Sequence, residues 1–126
     1  MSKFAIFDVK EWPVVKIEYN NIPKDLTEFE DYLKGFNLLY QQNRKFNLLI
    51  DATNIGKVPV FYGVRQAFFM SENKEYTKKY VNKVAIILMS DGLMNMLKSV
   101  LNLNNQDCDI QTFKDINNAK QWLKLP

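Results

Sequence analysis

Apolar side chains recur along this chain in two rhythms, and the switches between them mark the elements. Alternation comes first. Ala5, Phe7 and Val9 fall on one side of a predicted strand over residues 4–9. Val15, Ile17 and Tyr19 alternate with Val14, Lys16 and Glu18 in a second over 14–19. The turn at Glu11-Trp12-Pro13 is short enough to make the two an antiparallel hairpin. Asn20-Asn21-Ile22-Pro23 ends it, and the rhythm becomes helical. Two overlapping capping boxes, Thr27 with Glu30 and Asp25 with Glu28, precede Leu26, Phe29, Leu33, Phe36 and Tyr40, so a helix runs to about residue 42. Residues 46–50 are a short apolar strand ended by Asp51, and residues 84–89 are apolar throughout. Continuous runs of this kind fit central strands covered on both faces.

A helix over residues 60–79 links these two strands, and the spacing makes a right-handed crossover. Asp91 opens a third helix with Leu93, Met96, Leu97, Val100 and Leu101 as its buried face. Cys108, Ile110 and Thr112 then alternate as on an edge strand, and Asp115 opens a last helix with Ile116, Ala119, Trp122 and Leu123 inward. The order is β-β-α-β-α-β-α-β-α. It predicts an α/β fold, a mixed and mostly parallel five-stranded sheet with four helices, in one domain over residues 1–126.

Composition mainly excludes. The chain has no histidine, which removes Ser-His-Asp and Cys-His nucleophiles and every histidine metal site. Its one cysteine, Cys108, rules out internal disulfides, and its four glycines form no phosphate-binding motif. A net charge of +3 is too small to suggest nucleic acid. No apolar run approaches the roughly 20 residues of a membrane span, and residues 1–8 lack the pattern of a secretory leader, so the expected location is the cytoplasm. No cofactor and no metal are expected.

Three stretches carry a family resemblance. They are Val14-Val15-Lys16-Ile17-Glu18-Tyr19 leading to Leu26-Thr27-Glu28-Phe29, the strand Asn47-Leu48-Leu49-Ile50-Asp51-Ala52-Thr53, and Asp109-Ile110-Gln111-Thr112-Phe113-Lys114-Asp115 followed by Ala119, Trp122 and Leu123. Together they resemble the STAS, or SpoIIAA-like, domains, and most closely the stand-alone bacterial SpoIIAA-like proteins, which are also compared with CRAL-TRIO lipid-exchange domains. The resemblance implies a regulatory module acting through protein contacts. Anti-anti-sigma factors of this kind carry an Asp-Ser-Ser-Gly turn after the Asp-ended strand, and its serine is phosphorylated. Here the region reads Asn54-Ile55-Gly56-Lys57-Val58-Pro59-Val60-Phe61-Tyr62-Gly63, with no serine. Thr53 is the remaining candidate phosphoacceptor, weighed against an ordinary strand-end hydroxyl. Asp51 is expected to order the loop that follows it.

On a helical wheel, Val60, Val64, Ala67 and Phe68 form one face of the second helix and are expected in the core. Tyr62 and Phe69 fall opposite, with Arg65 and Gln66 between. Tyr62, Arg65 and Phe69 are therefore the expected partner-binding residues, on the helix STAS-type domains present to partners. Three other groups carry plainer readings. Asp25, Glu28, Glu30 and Asp31 suit the positive end of a helix dipole. Lys74, Lys78, Lys79 and Lys83, with Tyr76 and Tyr80, read as a solvated helix end, against a phosphate or membrane contact. Phe29, Phe36, Phe61, Phe68, Met94 and Met96 read as core, against a pocket for an apolar ligand. The expected function is a non-enzymatic interaction module, binding a protein partner or a second copy. The alternative is a carrier or sensor of a small lipid-like molecule.

Overall fold

The computed structural model describes residues 3–89 and 108–125. Five strands lie side by side in chain order: β1 (Ala5–Asp8), β2 (Val14–Asn21), β3 (Phe46–Ile55), β4 (Val81–Ile87) and β5 (Asp109–Phe113). β1 pairs antiparallel with β2, and every later pairing is parallel. The described helices are α1 (Leu26–Tyr40), α2 (Val60–Glu72), α3 (Lys74–Tyr80) and α4 (Ile116–Leu123). This is the predicted mixed, mostly parallel sheet. The helix expected from Asp91, with Met94 and Met96, lies outside the described residues.

The central strands are apolar throughout because both of their faces are covered. Leu48, Ile50, Ala52, Val84, Ile86 and Leu88 join the core beneath α1, α2 and α3, while Leu49, Ala85 and Ile87 meet Ala119 and Leu123 of α4. β2 alternates because its second face is only partly covered. Val15, Ile17 and Tyr19 are buried, whereas Lys16 and Glu18 form a 3.9 Å surface pair. Phe7 of β1 lies so close to α1 that a Cβ at Gly35 would stand 2.5 Å from its ring. A helix-weakening glycine is tolerated there because a strand side chain takes the space.

Several boundaries differ from expectation. β3 does not stop at Asp51. It runs to Ile55, because β2 resumes pairing beyond an irregularity and matches Asn20 to Asn54 and Asn21 to Ile55. β4 starts at Val81, and Met89 is exposed beyond its end. Val9 likewise lies exposed past β1. Of the two capping boxes, the one that forms uses Asp25, which accepts from the Glu28 amide at 2.9 Å while Glu28 accepts from the Lys24 amide at 2.7 Å. Leu26 is thereby the first helical residue and faces solvent. The helix expected over 60–79 is two, divided at Asn73, whose side chain donates to the Phe69 carbonyl at 2.9 Å.

Two polar features are built into this interior. Tyr19 of β2 and Tyr32 of α1 share a 2.5 Å hydroxyl–hydroxyl bond inside a cage of Phe4, Phe7, Phe29 and Phe36. Burial pushes both phenols well above their ordinary range. On the other face, buried Lys83 donates to the carbonyls of Trp122 at 3.1 Å and Leu125 at 2.6 Å, with the Trp122 ring 5.1 Å from its ammonium. Asn47 adds a longer bond to the Leu123 carbonyl, at 3.5 Å. Lys83 therefore does not belong with the solvated lysines of α3. It places a cation on the negative end of α4.

Two measurements check these features. Lys83→Met strands the carbonyls at the end of α4 and is expected to cost about 2 kcal/mol, roughly 8 °C in Tm, whereas Lys79→Met costs under about 0.5 kcal/mol. The tyrosine pair predicts alkaline instability. Its folded-state pKa values lie above the unfolded value of about 10, so its contribution is whole below pH 10 and is lost as pH rises beyond it. Urea midpoints should fall between pH 9 and pH 11, and the fall should be smaller in Tyr19→Phe/Tyr32→Phe.

Candidate functional site

The site is built on α2, and its position is set at both ends. Upstream, the Gly56 amide donates to the Asn21 carbonyl at 2.7 Å, which fastens the loop after β3 to the end of β2. A Cβ at Gly56 would stand 2.6 Å from the Asn21 side chain, so this close approach requires glycine. Downstream, the Asn73 break turns the chain into α3 and back to β4.

Between these ends α2 is apolar almost all the way round: Val60, Phe61, Tyr62, Val64, Ala67, Phe68, Phe69 and Met70. Its periodicity alone cannot choose an inward face. α1 makes the choice. Tyr62 packs on Phe29 with ring centroids 4.9 Å apart, and Phe69 packs on Phe36 at 6.0 Å. Arg65 closes the seam with two bonds to Glu30, 2.7 and 3.1 Å long. The carboxylate raises the Arg65 pKa further above its ordinary value. Gln66 is buried between these contacts. It lies close enough to the Tyr32 hydroxyl to favour its ionised form, yet its own Nε2 has no hydrogen-bond partner.

The expected orientation of α2 is therefore reversed. Phe69 is 5% exposed and is no surface residue, Tyr62 is half-buried, and Arg65 is held by Glu30. The face assigned to the core points outward instead: Val60 is 82% exposed, Val64 50% and Phe68 62%, with Ala67 half-buried; Phe61, also read as core, is 62% exposed. Arg65 lies between Tyr62 and Phe69 on the wheel and turns inward with them, because α1 supplies a carboxylate to meet it. The missed signal was Glu30, which belongs to the acidic cluster at the start of α1.

That cluster has ordinary employment throughout. Asp25 caps α1, Glu28 holds the Lys24 amide, Glu30 takes Arg65, and Asp31 lies 3.8 Å from Lys34. Among the described residues no group of three or more acidic or cysteine side chains is arranged to hold a metal. Asp51 and Thr53 come together: one carboxylate oxygen of Asp51 accepts from the Thr53 amide at 3.1 Å and from its hydroxyl at 2.6 Å. Thr53 is exposed with its hydroxyl already engaged, so a phosphate there would displace the Asp51 contact. The aromatics proposed to line an apolar pocket are dispersed. Phe29 and Phe36 are buried, and Phe61 and Phe68 face solvent. The void that Phe36 lines, with Tyr40, Met70 and Thr77 among its walls, measures about 10 Å³, the space of one water.

Comparison with known proteins identifies the architecture. No protein-family model matches the chain, and no curated protein matches it. Among solved structures it is similar to an uncharacterized protein of the DUF3478 family with a SpoIIAA-like fold, from Shewanella loihica PV-4. The TM-score is 0.64 and the identity 16%, over 94% of this chain and 91% of that one. Such a likeness between distant sequences speaks for the architecture, and the resemblance found in the three sequence stretches agrees with it. The chain has a SpoIIAA-like α/β fold.

Proposed function

We propose that this chain is a non-enzymatic, regulatory interaction module that docks through the outward face of α2. The observation that carries the reading is four exposed apolar residues on one short helix. Other exposed apolar side chains are scattered, such as Ile6 on β1, Leu38 on α1 and Met89 beyond the end of β4. Scattered singles are normal on a protein surface, but a continuous apolar stripe is the ordinary mark of a contact site. α2 also lies just beyond the carboxyl end of a central strand, where open α/β sheets place their binding sites. Its stripe is held by a rigid seam, which favours docking over adaptive pocket formation.

An enzymatic reading has less support. The chain offers no histidine, and the carboxylate best placed for chemistry, Asp51, is engaged by Thr53. A lipid-carrier reading needed Phe61 and Phe68 turned inward. No helix among the described residues is long and apolar enough to cross a membrane.

The test compares wild type with Phe68→Asp, using Leu38→Asp as a control of similar exposure on α1. All three should fold alike by circular dichroism. Wild type and Leu38→Asp should associate equally, with themselves or with a co-purified protein, and Phe68→Asp should bind at least about 10-fold more weakly. Equal association by all three proteins would refute the reading.

A further inference from the structure

We infer that the occupant of this face is a second copy of the chain, docked with its α2 antiparallel to the first about a two-fold axis at Val64. The inference rests on the docking reading above and names its partner. Val60, Val64 and Phe68 are spaced i, i+4, i+8, so they form one ridge with steps of about 6 Å. The ridge is graded in size, with valine at one end, valine in the middle and phenylalanine at the other. An antiparallel copy matches that grading. Each Phe68 lies over the partner's Val60, the most exposed residue of the ridge at 82%, and Val64 meets the partner's Val64. A parallel copy would set phenylalanine against phenylalanine and leave a gap between valines. Self-complementarity through one residue on the axis is the requirement of an isologous two-fold interface.

Charge points the same way. From Val60 to Met70 the only charged side chain is Arg65, and Glu30 already neutralises it on the inward side. The outward ridge offers nothing to a charged partner and resembles the charge-depleted centre of homodimer interfaces. A net charge of +3 per copy opposes pairing only weakly. Area sets the strength. Two valines and two phenylalanines exposed to this degree present on the order of 450 Å² per copy, roughly 900 Å² in all, which is the size of a weak, transient interface. The dimer should therefore be reversible, with a Kd in the micromolar range.

Val64→Cys is a direct test, because a cysteine on a two-fold axis meets its own copy, and the native Cys108 is buried. Under mild oxidation at tens of micromolar, Val64→Cys should form a covalent dimer at least about 10-fold faster than Val9→Cys, a control of equal exposure in the turn after β1. In an oxidised mixture of Val60→Cys and Phe68→Cys chains, the mixed disulfide should predominate over both self-disulfides. Sedimentation of the wild type should show monomer and dimer in exchange, and Phe68→Asp should be monomeric at the same concentration.

A dimer that Val64→Cys does not trap would overturn the inference. So would predominance of self-disulfides in the mixture. A wild type that stays monomeric at 200 µM would also overturn it, and thiol labelling of Val64→Cys then says what remains. Labelling as fast as Val9→Cys leaves a free face for a different protein, so the docking reading survives alone. Slow labelling in a monomer means the chain's own residues 90–107 occupy the face, and both readings fall.

Discussion

The seam between α1 and α2 decides what this molecule shows to its surroundings. Phe29 meets Tyr62, Glu30 meets Arg65 and Phe36 meets Phe69; the three α2 partners are spaced one or two helical turns apart, and each contact sets the next in register. Once they form, α2 cannot rotate without breaking all of them together. Everything outward on α2, including Val60, Val64 and Phe68, is a consequence of that constraint. The seam is anchored beneath by the Tyr19–Tyr32 bond, which ties α1 to β2 and fixes the helix on which α2 leans. Buried hydroxyls with a short mutual bond resist sliding in a way that apolar packing does not.

The sheet was legible in the sequence because two-sided burial writes itself into composition. Leu48, Leu49 and Ile50, and Val84 to Ile87, are apolar on consecutive positions, since α1 and α2 cover one face and α4 the other. The alternation of Val15, Ile17 and Tyr19 with Lys16 and Glu18 reported the one-sided strand equally well. Ends were read less well, because pairing with a neighbour decides them. β3 continues to Ile55 only because Asn20 and Asn21 of β2 offer it backbone partners. The split at Asn73 rests on a side-chain bond to Phe69 that periodicity does not encode.

The orientation of α2 was illegible for a different reason. A helical wheel identifies an inward face only when the two faces differ, and here both are apolar. The decisive partners, Phe29, Glu30 and Phe36, lie on another helix about 35 residues earlier, and no local pattern links them to α2. The same reasoning explains Lys83. In sequence it continues a run of lysines, but as a β4 residue whose ammonium lies at the end of α4 it has little to do with them.

Near-equality of the two faces also bears on function. Turning α2 by half a revolution would bury Phe61 and Phe68 and release Gln66 to water, a gain of roughly 1.5–3 kcal/mol for each large apolar side chain. It would also expose Phe69 and Met70 and leave Glu30 without Arg65. The apolar terms nearly cancel, so the aromatic geometry and the ion pair decide by a few kcal/mol at most. The folded chain accordingly keeps Gln66 inside with its Nε2 unpartnered and two phenylalanines outside. The outward surface of α2 is thus about as apolar as its inward one, and burying it against another apolar surface would gain by the same physics. Under the docking function proposed above, association covers the two phenylalanines and leaves Gln66, on the inward side, as it is.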